Sequence, residues 1–225
     1  MSFALTLPVW LLVVLAVFAC AWLIQLCIQL TVHRAPLRHA KKEAASRIRF
    51  AEEQPGVSVV VYAHNQAEEL LRNLPHILDS DYPCFEVIVV DDGSTDYTSD
   101  VLTQMQQRYM HFSHTTLGHN VRNVSRSKMA MMLGMKAAQY DIILMTQAQC
   151  LPVSSHWISH MVRQFNSWTD VVLGPVAYET RTGIMNRFYQ WDLFQRMIYM
   201  MGLTLTTSPY SGWSTNMAFR KRIFF

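Results

Sequence analysis

Residues 85–96 read FEVIVVDDGSTD, and this stretch predicts the fold. Val87, Ile88, Val89 and Val90 form an unbroken apolar run of β-branched residues, which is typical of a strand buried on both faces of a parallel sheet. Two aspartates end the run and must lie at the sheet edge, where water or a ligand reaches them. Because ligands bind at the carboxyl ends of strands in open α/β sheets, the stretch predicts the mouth of a site. An ordinary strand-to-helix turn with solvated aspartates is the alternative.

The segment VIVVDDGSTD resembles the nucleotide-binding signature of family-2 glycosyltransferases of the GT-A fold. The resemblance implies that its carboxylates contact the base and ribose of a nucleotide sugar, so Asp91, Asp92 and Ser94 become candidate nucleotide-binding residues. It extends over about residues 55–225 and implies a three-layer α/β/α domain with a mostly parallel sheet. The implied activity is inverting sugar transfer from a UDP- or GDP-sugar to an envelope polysaccharide or lipid-linked acceptor.

The composition limits the class of protein. The chain has 225 residues, enough for about one domain plus an appendage. Its formal net charge is +3, and the positive excess lies in one short patch, so no nucleic-acid-binding face is expected. The 4 cysteines form no CxxC pair and no metal-ligand spacing, which fits a reducing cytosolic environment.

The first 32 residues contain no Asp, Glu, Lys or Arg and are long enough to cross a bilayer as a helix. A cleaved signal peptide is the rival interpretation, but it needs a basic n-region and a shorter apolar core. We therefore predict a transmembrane anchor at 1–32, a basic linker at 33–54 and a glycosyltransferase domain at 55–225. By the positive-inside rule, the globular part of this single-pass protein faces the cytoplasm at the inner membrane. The basic residues that set this orientation are Arg34, Arg38, Lys41, Lys42, Arg47 and Arg49.

A strand, a helix and a second strand open the globular part. Residues 57–62 read VSVVVY and predict a buried strand, and helical periodicity follows through residues 70–78. The resemblance places the loop after the first strand beside the nucleotide base, so Tyr62, His64 and Asn65 are candidates for the base pocket. The alternative is a core Tyr62 and a solvated His64. Further helices are predicted at 96–110, 125–138 and 183–201, and further strands at 111–117, 141–146 and 170–173.

Lys128 lies near the start of the helix predicted at 125–138. The resemblance places a lysine near the nucleotide here, although Ser127 replaces the family's glycine. A lysine and the positive end of a helix could together hold a diphosphate. Arg122 and Arg126 are weaker candidates for the same role.

The chain departs from the family where a DxD pair of carboxylates normally binds a divalent metal, because it reads Gln147-Ala148-Gln149. Mg²⁺ and Mn²⁺ prefer charged oxygen ligands, and a glutamine carbonyl neutralises nothing. The sequence therefore predicts a weakened or absent metal requirement, with Gln149 or Asp92 as the remaining weak ligands. It also keeps open a non-catalytic, membrane-tethered nucleotide-sugar-binding or assembly subunit, or a degenerate fragment.

Two other segments bear on chemistry. His156 and His160 have helical spacing without the HExxH glutamate, so satisfied or exposed surface histidines are expected rather than a zinc site. Residues 210–225 resemble the family wall beside donor sugar and acceptor, with Gly212, Trp213 and Asn216 at matching positions. Trp213 could stack on a sugar or be a buried aromatic.

Family members continue with an acidic pair that supplies the general base. No residue here matches it, so the catalytic base is unknown and a C-terminally truncated member is expected.

Residues 183–201 carry large apolar side chains at helical spacing, among them Ile184, Phe188, Trp191 and Phe194. Because most amphipathic helices face a core, we expect this stripe to pack on the domain core. The alternative is a helix lying in the membrane interface beside a lipid-linked acceptor.

Overall fold

The computed structural model describes residues 8–46, 54–118 and 125–224. The helices are α1 (Val9–Ser46), α2 (Ala67–Leu78), α3 (Thr98–Arg108), α4 (Arg126–Ala137), α5 (Trp157–Val162) and α6 (Ile184–Thr206). The strands are β1 (Val57–Ala63), β2 (Phe85–Asp91), β3 (Phe112–Thr116), β4 (Ile142–Gln147), β5 (Val171–Leu173) and β6 (Met217–Arg220). Short 3-10 turns flank β6 at Ser214–Asn216 and Lys221–Ile223.

One mixed sheet has the strand order β3-β2-β1-β4-β6-β5. The first four strands in that order are parallel, while β6 runs antiparallel to both β4 and β5. The predicted mostly parallel sheet is confirmed. The β-branched runs occupy its centre because both faces there are covered, and β1 and β2 bury nearly every residue.

The alternation of side chains along β1 separates two cores. Val57, Val59 and Val61 join one apolar cluster, which contains side chains from α2, α3 and α5. Val60 joins the other, which contains Ala130 and Met135 of α4. Helices therefore cover both faces of the sheet, which confirms the predicted three-layer α/β/α architecture.

The chain forms two compact units, and helices α1 and α6 make up one of them. Helix α1 runs without a break through Pro36 to Ser46, so residues 33–46 of the predicted basic linker are helical. Arg47 and Arg49 lie outside the described residues. The sheet and α2 to α5 form the second unit, to which residues 212–225 return.

Helix α6 packs closely on α1. A side chain at Gly202 would collide with the backbone of Val32, so the two helices approach more closely there than any larger residue allows. His33 Nε2 donates a hydrogen bond to Gln195 Oε1 over 3.3 Å, and the His33 ring meets the ring of Tyr199 edge-on. The contact buries Val32 on α1 and Gly202 on α6.

The apolar stripe of α6 is not covered within its own compact unit. Ile184, Phe188, Trp191 and Phe194 are between 56% and 82% exposed. Leu193 and Met200 of the same helix are buried. The prediction that the stripe packs on the domain core stays a prediction.

Candidate functional site

The candidate site lies where the parallel strands β1, β2 and β4 end. Tyr62 is level with Val90 on β2 and with Gln147 on β4, so the loops that follow the three strands start side by side. The Asp92 N–H donates to the Ala63 carbonyl, and the Ala148 N–H donates to the Tyr62 carbonyl. These bonds fix the three loops to one another, as the sequence predicted for the carboxyl edge of the sheet.

Asp92 is a buried carboxylate of this edge that bonds to side chains of β1 and α4. It is 4% exposed, accepts a hydrogen bond from the Tyr62 hydroxyl over 2.9 Å, and forms an ion pair with Arg126 over 2.8 Å. His64 Nδ1 lies 2.9 Å from the Asp92 carbonyl oxygen and donates to it. The expectation that water reaches both aspartates is therefore corrected: each carboxylate is buried and bonded by protein groups, Asp91 being 3% exposed. The alternative of solvated aspartates is wrong for the same reason. Contact of Asp91 and Asp92 with a nucleotide stays a prediction.

Asp91 organises the turn itself. Its carboxylate accepts hydrogen bonds from the Ser94 N–H and hydroxyl. The Ser94 hydroxyl oxygen also accepts a bond from the Asn65 N–H, which joins the β2 loop to the β1 loop. Asn65 has a φ of 51°, in the left-handed region that asparagine tolerates, and its side-chain oxygen accepts from the Thr95 N–H over 2.7 Å. The predicted residues Asn65, Asp91 and Ser94 therefore form one network.

Asp96 connects the same turn to two helices. Its carboxylate accepts from the Ala67 N–H at the start of α2 over 3.2 Å and from the Thr98 N–H at the start of α3 over 3.1 Å. Burial pushes the pKa of Asp96 upward, but the hydrogen bonds from Thr98 and Ala67 outweigh it, so this pKa lies below its ordinary value. The carboxylate thus supplies an N-terminal cap to both helices.

Tyr62 faces the site from β1. Its ring is partly buried against the second core, and its hydroxyl donates to Asp92. Burial, followed by the hydrogen bond and the negative charge of Asp92, raises the pKa of Tyr62 to about 12. The phenol is therefore a permanent donor near neutral pH. Tyr62 belongs to both the core and the site, so neither sequence interpretation excludes the other.

The amides that replace the DxD pair are bonded to each other. Gln149 donates to the side-chain oxygen of Gln147 over 2.6 Å, and Gln66 donates to the side-chain oxygen of Gln149 over 2.7 Å. Because both amide oxygens already accept bonds and Asp92 is paired with Arg126, the donor set does not fit Mg²⁺ or Mn²⁺. Among the described residues, no three His, Cys, Asp or Glu side chains come together as metal ligands.

Lys128 and Arg126 lie in the first turn of α4. Lys128 is exposed, whereas Arg126 is partly buried by its pairing with Asp92. Arg126 thus bonds to the predicted nucleoside-binding carboxylate, and its role at a diphosphate stays a prediction. Arg122 lies outside the described residues.

The segment before β6 was predicted to form the wall beside the sugar. Register places it beside the end of β4, since Met217 pairs with Met145. Asn216 accepts a hydrogen bond from Trp157 Nε1 over 3.0 Å and donates to the Pro175 carbonyl over 2.7 Å, so its side chain ties α5 to the chain after β5. Trp213 is partly buried and Gly212 lies against Leu173.

Sequence reasoning missed two contributors. Gln66 joins the amide chain, and its position directly after the β1 loop was the available signal. Trp157 bonds to Asn216, which nothing in the sequence indicated.

His156 and His160 are neighbours whose rings lie 6.5 Å apart, and His156 contacts Asp81 over 3.3 Å.

Comparisons with solved structures define the class of fold. The mannosyltransferase PcManGT from Pyrobaculum calidifontis, solved in complex with GDP-Man and Mn²⁺, superposes with a TM-score of 0.60 over 88% of this chain and 55% of its own, at 18% identity. Residues 1–349 of TarS from S. aureus give a TM-score of 0.52 over 75% of this chain and 48% of TarS, also at 18% identity. The fold is that of the GT-A transferases.

The family follows from the sequence model named Glycosyl transferase family 2, which matches residues 58–225. The chain belongs to this family. It is 26% identical over 135 residues to the poly-beta-1,6-N-acetyl-D-glucosamine synthase of Staphylococcus epidermidis, covering 59% of this chain and 31% of the synthase. It is also 38% identical over 52 residues to an uncharacterized glycosyltransferase of Nostoc sp., covering 23% of this chain and 16% of that protein. The chain spans less than a third of the length of either curated relative.

Proposed function

We propose that this protein transfers a sugar from a UDP- or GDP-sugar to a lipid-linked or polysaccharide acceptor of the cell envelope. The observation that supports this most is the bonded network at the ends of β1, β2 and β4, where Tyr62, His64, Asn65, Asp91 and Asp92 meet. Family membership supports sugar transfer, and the polysaccharide product named for the staphylococcal synthase supports an envelope acceptor.

The proposed reaction is a single displacement with inversion. The acceptor hydroxyl oxygen attacks the anomeric carbon, the bond from that carbon to the diphosphate oxygen breaks, and the hydroxyl proton passes to a base that we do not assign. Asp91 and Asp92 hold the nucleoside side of the donor, and Ser94 fixes the Asp91 carboxylate. Lys128, at the positive end of α4, stabilises the charge that develops on the leaving diphosphate.

The donor sugar would lie between the amides of Gln147 and Gln149 and the wall at residues 212–216, where Gly212, Trp213 and Asn216 are the candidate contacts. The donor set of this edge does not suit a divalent cation, so we propose that diphosphate binding relies on cationic side chains. Electrostatic stabilisation of this kind supplies a large part of the rate in many transferases.

We further propose that α1 anchors the protein in the inner membrane, with the catalytic domain in the cytoplasm. Helix α1 is the one helix in the described part of the chain that is long and apolar enough to span a bilayer by length and composition. Exposed basic residues follow its apolar stretch, including Arg34, Arg38 and Lys41, as the positive-inside rule requires. The organisation is thus an anchor at 1–32, a basic segment at 33–54 and the transferase domain at 55–225.

A second candidate function is a membrane-tethered subunit that binds a nucleotide sugar without turning it over. The observation that favours it is the pair of mutually bonded amides, Gln147 and Gln149, at the position of the family's metal-binding carboxylates.

Calorimetry on the full chain in detergent would test both candidates, with UDP, GDP, CMP and dTDP each added with Mn²⁺ and with EDTA. Binding of UDP or GDP that persists in EDTA would support the metal-independent donor site. Release of free nucleoside diphosphate in the presence of the matching nucleotide sugar and membrane extract would then separate the transferase from the binding subunit. Absence of binding by all four nucleotides would overturn both.

A further inference from the structure

One face of α6 carries large apolar side chains that α1, the other helix of its compact unit, leaves exposed. Ile184 is 82% exposed, and Phe188, Trp191 and Phe194 are each more than half exposed. Their spacing of four, three and three residues places them on one face of the helix. Leu193, on the opposite face, is buried. Contiguous exposed apolar side chains on a helix that is otherwise anchored indicate an interaction surface.

The contact between α6 and α1 indicates the depth in the bilayer at which this α6 surface would lie. Gly202 packs on Val32, next to the end of the 33-residue stretch without Asp, Glu, Lys or Arg, and Gln195 and Tyr199 meet His33, which ends it. The first basic residue, Arg34, follows directly. If α1 spans the bilayer, α6 is attached where α1 passes from the acyl chains into the headgroups.

The residue types and charges on and beside the α6 stripe also suit the boundary between headgroups and acyl chains. Tryptophan and other aromatic side chains favour the boundary between headgroups and acyl chains. Arg187 flanks the stripe with a long side chain that can reach headgroup phosphates, and Asp192 is neutralised by Arg196 over 2.9 Å. Arg34 and Arg38 on α1 are exposed near the contact. Anionic headgroups would meet a positive rim around an apolar stripe.

We propose that α6 is an interfacial helix that lies on the bilayer surface, with Ile184, Phe188, Trp191 and Phe194 inserted at the boundary of headgroups and acyl chains. This inference rests on the proposed anchoring by α1 and extends it, since the protein then contacts the membrane through two helices. The surface would hold the lipid-facing side of the protein against the bilayer independently of nucleotide binding.

Spin labelling of the full chain would test this. The four cysteines, Cys20, Cys27, Cys84 and Cys150, are replaced by serine, and single cysteines are introduced as F188C or W191C. The protein is reconstituted in vesicles of phosphatidylcholine and phosphatidylglycerol, and power saturation measures the access of oxygen and of a water-soluble nickel chelate to each label. M110C, at a fully exposed position before β3, is the water-facing control, and F18C on α1 reports the anchor.

We expect the ratio of oxygen to nickel access at positions 188 and 191 to be several-fold higher than at position 110. It should stay below the ratio at position 18, which lies about 21 Å along α1 from Val32 and therefore deeper in the bilayer. A water-like ratio at 188 and 191 with a lipid-like ratio at 18 would overturn the inference and leave the anchor intact. Low access of both reagents at 188 and 191 would also overturn it, since another protein surface would then cover the stripe. A water-like ratio at position 18 would reject the anchor itself, and with it the inference, whereas nucleotide calorimetry tests the donor site separately.

Discussion

Arg126 Nε lies 2.8 Å from Asp92 Oδ1, so a cation from the first turn of α4 neutralises the second carboxylate of the DDGSTD turn. The two side chains are 35% and 5% exposed, respectively. Because Asp92 is already paired with Arg126, the turn is less negative than its two aspartates alone would make it. Arg126 is thereby a determinant of the electrostatics at the proposed donor site.

Breaking this pair should weaken the fold. We expect Asp92→Asn and Arg126→Ala each to lower the free energy of unfolding by about 1–2 kcal/mol, since Arg126 is partly screened by solvent. The double variant should lose less than the sum, with a coupling of about 1 kcal/mol. Denaturant titration of the four proteins measures this cycle. Asp81→Asn, at an exposed position, is the matched control and should change stability by less than about 0.5 kcal/mol. Additive losses in the cycle would contradict the pairing.

Alkaline pH should reveal the environment of Tyr62. Since burial and Asp92 raise its pKa to about 12 in the folded protein, against 10.0 for a free tyrosine, the folded state disfavours the phenolate. The resulting stabilisation is complete below pH 10 and is lost as pH rises toward 12. Tyr62→Phe should reduce the pH dependence of the unfolding free energy in that window. Burial also raises the pKa of Tyr82 to about 12, so Tyr82→Phe provides the comparison. An unchanged slope in Tyr62→Phe would argue against a neutral donor at Asp92.

Asp96→Asn should destabilise both helices that the carboxylate caps. We expect a loss of about 1–2 kcal/mol in the free energy of unfolding, because backbone N–H groups of α2 and α3 lose a charged acceptor. The pKa of Asp96 is depressed, so its contribution is present above the ordinary aspartate pKa and disappears as pH falls through the folded value. The difference between wild type and variant should therefore vanish in acid. Asp100→Asn, exposed on α3, serves as control; a pH-independent difference would refute the capping role.

Restoring the two carboxylates should create a metal site. In Gln147→Asp/Gln149→Asp, hard oxygen ligands replace two amides, so Mn²⁺ affinity measured by calorimetry should rise at least about tenfold, or roughly 1.4 kcal/mol. Gln106→Asp/Gln107→Asp on the exposed side of α3 adds the same charge away from the site and should leave Mn²⁺ affinity unchanged. Equal Mn²⁺ affinities in wild type and the restored variant would show that the amides are not what limits binding.

Asn216→Ala should cost about 1–3 kcal/mol of unfolding free energy, because Trp157 Nε1 and the Pro175 carbonyl both lose their partner. In a Trp157→Phe background the same substitution should cost less. This cycle separates a structural role of Asn216 from a direct contact with the donor sugar, which would lower nucleotide-sugar affinity in both backgrounds equally.

Strands β1 to β5 were predictable because their signal is local, whereas β6 was not predicted as a strand. Val87 to Val90 form an apolar run that only a doubly covered strand can use, and β2 contains that run. The candidate nucleotide-binding residues were predicted on the loops after β1 and β2, and these loops meet between Asn65 and Ser94. These inferences depend on short stretches and on the rule that parallel strands end at one edge.

Pairings between distant side chains were not predictable from residue types. Arg126 could have served a diphosphate, and only its position in three dimensions brings it to Asp92, 34 residues earlier in the chain. Asp96 bonds to Thr98 of the helix that follows it, but its bond to Ala67 reaches the preceding helix, 29 residues earlier in the chain. The periodicity of the apolar residues correctly predicted helix α6. Periodicity alone does not show whether the apolar face packs on protein or on a membrane.

The position of β6 has a consequence for biosynthesis. It lies between β4 and β5 in the sheet, yet it follows both in the chain, with Phe219 fully buried. While the ribosome is still making α6, β4 presents an unpaired backbone edge, which is a template for pairing with other nascent chains. Helix α1, synthesised first, would by then have left the exit tunnel. Early capture of α1 by a membrane would thus spread nascent chains apart during the interval in which their β4 edges are open.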